Sequence, residues 1–219
     1  MEKVVDEFHK LYYEIARLGW CTFENYEMAT KWRGVAVSKC PFDLWQYQEI
    51  ITDTKPDIII ETGTWCGGSA LYLKDISKIC GSEKALVVTI DRDPIGQFKD
   101  EEGVLQLVGD SVGDTIAGYV KNLVSPTDKV MVILDSDHSK KHVLQELELY
   151  APLVTEGCYL VVEDTNVNGH PIMKEHGPGP LEALEEWWPS HPEFHCDLRC
   201  ERFLLTFNPK GYYKRMGKV

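Results

Sequence analysis

The residue pattern of this chain is that of an α/β protein with a mostly parallel central sheet, helices on both faces and an antiparallel C-terminal strand. Three observations carry that expectation. From residue 55 onward, short β-branched or apolar runs alternate with segments of helical periodicity. The first run opens onto a glycine-rich turn at residues 63–68. Successive runs finish in or beside an acid, at Glu61, Asp91, Asp110, Asp135 and Glu163, which lines one edge of a parallel sheet with polar groups.

Residues 1–19 place Val4, Val5, Phe8, Leu11, Tyr12, Ile15 and Leu18 at helical spacing, and Gly19 stops the pattern. An irregular aromatic stretch follows, through Trp20, Phe23, Tyr26 and Trp32 to the Lys39-Cys40-Pro41 turn. A helix over 42–54 halts before Lys55-Pro56, because proline disfavours helical backbone in the residue before it. Strands are expected at 57–62, 85–91, 104–108, 130–135 and 158–163, with helices at 69–80, 112–123 and 139–151. Residues 165–180, rich in Gly, Pro, Asn and His, read as an ordered loop over the site. A helix at 181–188, closing strands at 193–198 and 202–208, and a basic tail complete the chain. The expected organisation is one domain over 1–219, in which a helical and aromatic cap (1–54) covers an α/β core (55–219).

Bulk properties narrow the function. A formal net charge of -12 excludes a nucleic-acid backbone as partner and favours cationic ligands. No apolar stretch approaches a membrane span, and the charged start lacks a secretory pattern. Seven scattered cysteines read as reduced thiols, so the expected location is cytoplasmic. Assembly into a homo-oligomer is compatible with this composition.

The glycine-rich turn holds the first candidate residues. Gly63, Thr64, Gly67 and Ser69 sit where a strand hands over to a helix, the place where backbone can approach a ligand closely. Glu61 precedes the turn and can accept hydrogen bonds from an α-ammonium group. Asp91 stands where such folds bind ribose hydroxyls, and Asp110 with Ser111 can bracket adenine. Each acid taken alone also fits a helix cap. A dinucleotide turn would read GxGxxG, but Trp65 occupies its second glycine position, and Glu61 would repel phosphates. S-adenosylmethionine, a sulfonium without phosphate, suits this acidic pocket better than a nicotinamide cofactor.

The second group lies at two strand ends, Leu134-Asp135-Ser136-Asp137-His138 and Val162-Glu163-Asp164. If those strands pair, Asp135, Glu163 and Asp164 gather carboxylates that repel one another unless a cation joins them. Oxygen ligation points to Mg²⁺, with Mn²⁺ or Ca²⁺ as alternatives. Asp137 rivals Asp135, and carboxylates that diverge would simply cap the following helices. His138, beside this cluster, is the candidate general base. His142 is expected on the helix surface, with His170 and His176 as weaker candidates for substrate contact.

Together these residues resemble the cephalosporin hydroxylase/rhamnosyl O-methyltransferase family. The resemblance runs through KPDIIIETGTWCGGSALYL, VTIDRDP, GDS, VILDSDHSKKHVLQELELYAPLV, GCYLVVEDTNVNG, GPGPLEALEEW and RFLLTFNPKGYYKR. It implies a Rossmann-like class I methyltransferase fold that binds S-adenosylmethionine and Mg²⁺ and methylates a hydroxyl of a small-molecule acceptor, a sugar or natural product. Carried over by motif, Asp135, Glu163 and Asp164 are the implied metal ligands and His138 the implied base. Glu61, Gly63, Ser69, Asp91 and Asp110 are the implied cofactor contacts, with Asp135 also on the cofactor side. Trp187 and Trp188 can stack on an acceptor ring, although core packing explains them as readily.

Overall fold

The structure is a computed structural model that describes residues 2–17, 30–95 and 101–217. Helix α1 (Glu2–Phe8) leads into a wider π-helical stretch, His9–Arg17. That widening moves the buried face. Leu11, expected inside, is exposed, while His9 and Tyr13 are buried; Val4, also expected inside, is exposed in α1 ahead of the widening. The expectation rested on 3.6 residues per turn, and a π-helix closes its hydrogen bonds one residue further on. Leu18, Gly19, Trp20, Phe23 and Tyr26 lie outside the described residues.

A hairpin of β1 (Thr30–Trp32) and β2 (Val35–Val37) precedes α2 (Pro41–Thr54), which starts on a proline whose missing N–H costs nothing in a first turn. The central sheet then builds from β3 (Ile58–Thr62), β4 (Leu86–Asp91), β5 (Val104–Val108), β6 (Val130–Leu134) and β7 (Tyr159–Val162), all parallel. Two short strands, β8 (Phe194–Cys196) and β9 (Tyr212–Arg215), extend it antiparallel, in the order β5-β4-β3-β6-β7-β9-β8. β3, β6 and β7 are buried at every position, because both faces are covered, so they read as continuous apolar runs.

Alternate strand residues feed two cores. Ile59, Val87, Met131 and Val161 pack under α2 and under α3 (Gly68–Ile79). Ile60, Val88, Val132 and Leu160 pack against α5 (Lys140–Tyr150), α6 (Pro180–Trp187) and Val120 of α4 (Asp114–Leu123). The connections run outward from β3 to β4 and β5, then cross back to β6 on the other side of β3. Such a reversal opens a crevice at the C-terminal ends of the strands. Here the register pairs Thr62 with Leu134 and Leu134 with Val162, so the tips of β3, β6 and β7 lie side by side.

The chain end departs from expectation. Residues 202–208 form no strand, and β9 lies in what reads as the basic tail. Leu204 turns into the left-handed region at φ 63. The Thr206 hydroxyl and the Phe207 N–H donate to the buried Asp43 carboxylate, which takes a main-chain donor that a strand would use. Tyr212 and Tyr213 then supply the alternation, one to each core. Trp187 packs between His191 and Phe194, and the Trp188 indole donates to the Phe194 carbonyl, so both serve the helix end. Among the described residues no helix is long and apolar enough to cross a membrane.

Candidate active site

The glycine turn is shaped by close backbone approach. Gly63 has φ +87, and a Cβ there would stand 1.9 Å from the main-chain oxygen of Asp135. Gly68 meets β2 just as closely, since its Cβ would lie 2.2 Å from the Ala36 oxygen. The turn is held from β4: the Trp65 N–H donates to Asp91 Oδ2 at 2.7 Å, and the Thr64 and Thr89 hydroxyls lie 2.8 Å apart.

Glu61 is fully buried at the end of β3, where Thr89 donates to its Oε2 at 2.8 Å. Its Oε1 has no hydrogen-bond partner among the described residues. Burial raises the Glu61 carboxyl above its ordinary value, partly offset by Lys39 and by hydrogen bonds from Ser69 and Thr89. That oxygen lies 3.8 Å from the Lys39 ammonium, so the buried acid stands in a site suited to positive charge.

A cavity of about 550 Å³ opens beside the turn, well within the usual size for a small-molecule pocket. Gly63, Thr64, Ser69, Asp91, Asp110, Ser111, Asp135, Asp137 and His138 line it. Gly67, at φ +85, stands behind that wall as the N-cap of α3. Asp110 Oδ1 accepts the Val112 N–H, and the Ser111 hydroxyl donates to buried Glu146 at 2.6 Å. His142 also reaches the cavity, against the expectation of a surface position, with Nε2 3.0 Å from the Ser111 hydroxyl. The shared carboxylate of Glu146 draws both side chains inward; it also accepts from Ser136.

The acids at the tips of β6 and β7 converge. His138 Nε2 lies 3.3 Å from Asp135 Oδ1, and Nδ1 lies 3.2 Å from Asp164 Oδ2. One donor atom from each of Asp135, His138 and Asp164 falls within 4.8 Å of the others, a carboxylate-rich set that fits a divalent cation. Tyr13 donates to Asp164 Oδ2 at 2.8 Å, and Asn208 Oδ1 accepts the Asp164 N–H. Asp137 instead accepts the Ser139 N–H at 2.8 Å, the geometry of a turn before α5. His170 bonds Glu182 at 2.8 Å and His176 bonds the Gly177 carbonyl, and neither lines the cavity.

Glu163 faces Lys39, which the sequence placed in a turn before the second helix and not in the site. Lys39 Nζ donates to Glu163 Oε1 at 2.5 Å and to Asp135 Oδ2 at 2.7 Å, and Tyr47 donates to the same Glu163 oxygen at 2.5 Å. Burial alone would lower the Lys39 ammonium, but Asp135, Glu163 and Glu61 overcome it and push it up. Burial, with the neighbouring Asp135 charge, pushes Glu163 up; burial acts the same way on Asp135, but Lys39 and His138 outweigh it and hold that carboxyl down. The two acids share one ammonium. A lone loop lysine has no periodic signature. The one clue in the sequence is a buried excess of acids that demands a positive charge.

The family model described as Rhamnosyl O-methyltransferase/CmcI matches residues 24–216. The chain is 36% identical over 218 residues to the rhamnosyl O-methyltransferase of Mycobacterium leprae (strain TN), spanning 98% of this chain and 91% of that protein. Among solved structures it resembles CmcI determined with Mg and SAM, at TM-score 0.67 and 21% identity over 86% of this chain and 77% of the other. It also resembles the MycE methyltransferase of the mycinamycin biosynthetic pathway, in complex with Mg, SAH and mycinamycin VI, at TM-score 0.55 and 18% identity, covering 78% and 47% of the two chains. At those identities the two structures bear on the fold, which agrees with the Rossmann-like sheet described above. The extent of the family match and the identity to the mycobacterial relative place this chain in the rhamnosyl O-methyltransferase/CmcI family, and it is an O-methyltransferase.

Proposed function

We propose that this enzyme transfers a methyl group from S-adenosylmethionine to a hydroxyl of a small polyhydroxylated molecule, a sugar or a sugar-bearing natural product, with Mg²⁺ or a similar divalent cation at the carboxylate cluster. One observation carries the proposal: a single cavity is bounded at one side by the glycine turn with Asp91 and Asp110, and at the other by Asp135 and His138. The names of the relatives support it, since the mycobacterial proteins are rhamnosyl O-methyltransferases, and the CmcI and MycE structures hold Mg with SAM or SAH.

In this reading Glu61 and Ser69 receive the α-ammonium end of the donor, Asp91 the ribose hydroxyls, and Asp110 with Ser111 the adenine. Gly63, Thr64 and Gly67 shape the turn so that backbone comes close. Asp135 and Asp164 would hold the cation, and Glu163, whose Oε1 accepts from Lys39 and Tyr47, would be the third carboxylate. A bound divalent ion supplies Lewis acidity that lowers the pKa of a neighbouring hydroxyl. His138 would take the hydroxyl proton at Nε2, while Asp164 accepts from its Nδ1–H and so fixes the plane of the ring. The acceptor oxygen forms its bond to the methyl carbon as the carbon–sulfur bond breaks, which turns the sulfonium into a neutral thioether. The pocket contributes by holding donor and acceptor in line. We read residues 1–219 as one domain, with 1–54 as its cap.

Replacing His138 with Ala is expected to lower turnover by about 10²-fold while S-adenosylhomocysteine still binds as in wild type by calorimetry. Turnover at the wild-type rate would remove His138 as base. Treatment with a chelator is expected to abolish methyl transfer to a panel of sugar, phenolic and nucleoside acceptors, and excess Mg²⁺ to restore it. Undiminished product formation in chelator would refute the cation.

A further inference from the structure

Lys39 lies on the connection between β2 and α2 and is almost completely buried. Methyl transfer as derived above gives it no task. Its ammonium nevertheless sits 2.5 Å from Glu163 Oε1, 2.7 Å from Asp135 Oδ2 and 3.8 Å from Glu61 Oε1. Two of those carboxylates belong to the proposed cation site and the third to the proposed donor site. Three converging acids, two of them buried and one half-buried, would without a positive charge drive one another apart or take up protons. An ammonium at this point keeps them together before any ligand arrives.

The same placement sets up a competition. A divalent cation at the Asp135 and Asp164 carboxylates would stand close to the Lys39 ammonium, in a site with little water to screen the repulsion. It would also draw on the oxygens of Asp135 and Glu163 that Lys39 now occupies. We propose that Lys39 is a positioning residue: it is the resident counter-ion that holds Asp135 and Glu163 in register, and by competing for their oxygens it sets how tightly the divalent cation binds. This rests on the divalent-cation reading given above. A purely structural lysine would fix the same acids but would not govern ion affinity.

The test is Mn²⁺ binding to the full chain, followed by electron paramagnetic resonance, in wild type, Lys39→Met, Glu163→Gln and the double variant, with folding checked by circular dichroism. Lys39→Met is expected to bind Mn²⁺ at least about tenfold more tightly, a change of about 1.4 kcal/mol. Glu163→Gln is expected to bind it more weakly, because the ammonium remains while one carboxylate charge is lost. The double variant, which removes one charge of each sign, is expected to return to within about threefold of wild type, because the two changes offset each other. A folded Lys39→Met protein that binds Mn²⁺ no more tightly overturns the proposal. Should that variant fail to fold, the double variant is compared with Glu163→Gln: tighter binding in the double supports the role of Lys39, and equal binding overturns it. Absence of Mn²⁺ binding in every protein removes the divalent-cation reading and Lys39 with it. Binding by wild type that Lys39 does not influence removes the Lys39 proposal alone.

Discussion

Replacing Asp135 with Asn is expected to reduce methyl transfer by about 10³-fold while the protein stays folded. The residue stands where every part of the site meets. Its N–H bonds the main-chain oxygen and the hydroxyl of Thr62, which fixes the tip of β6 against β3. Its main-chain oxygen occupies the space that makes a glycine necessary at position 63. Its carboxylate accepts from Lys39 and faces His138. Asn keeps the backbone contacts and nearly the same shape, so the fold survives, with Lys39 still paired to Glu163. The charge is what disappears: the proposed cation loses a ligand, and the imidazolium that forms at His138 loses the carboxylate beside its Nε2. Single-turnover rates at saturating Mg²⁺ measure the loss. A rate within about tenfold of wild type would contradict the assignment.

Replacing Gly63 with Ala is expected to cost about 3 kcal/mol or more of stability and to weaken S-adenosylhomocysteine binding by at least about a hundredfold. Two penalties combine. The backbone at φ +87 is strained for any residue with a side chain, and the new methyl would lie 1.9 Å from the Asp135 oxygen, 2.6 Å from its carbon and 3.2 Å from the Ser136 Cα. Those atoms are main chain, and the Asp135 N–H is already tied to Thr62, so the strand tip itself has to shift. Gly34→Ala separates the two terms: φ is +85 there, but nothing lies within 4 Å of the added carbon. That variant is expected to show the backbone penalty alone, about 1–2 kcal/mol. Urea denaturation and calorimetry on both proteins give the comparison. Equal losses in the two variants would show that the close approach at Gly63 has no energetic weight.

The sequence made the central sheet legible for a physical reason. β3, β6 and β7 follow apolar runs whose neighbours are turn residues, and a strand covered on both faces has no other pattern to show. The clustering of Asp135 with Asp164 followed from topology, because adjacent parallel strands bring their C-terminal tips together. Side chains that arrive from distant segments left no such trace. Lys39 and Tyr13 reach the cluster from the N-terminal region, outside the alternating core, and only packing reveals them. The run at 202–208 has the composition of a strand, but Asp43 on α2 binds the Thr206 hydroxyl and the Phe207 N–H, an interaction that local propensity cannot register. The π-helical stretch at His9–Arg17 misled in another way, by changing the period on which the inward face was assigned.

The account depends on one arrangement: a sulfonium donor in the glycine turn, with its reactive end turned toward a cation held by the tips of β6 and β7. A crystal structure of the protein with S-adenosylhomocysteine and Mn²⁺, read by anomalous scattering, tests it most directly. The expected result is a manganese peak about 2 Å from carboxylate oxygens of Asp135 and Asp164, with the thioether sulfur in the same cavity beside Gly63. Manganese bound away from those two acids, or the nucleoside bound outside the Asp91 and Asp110 side of the cavity, would contradict it.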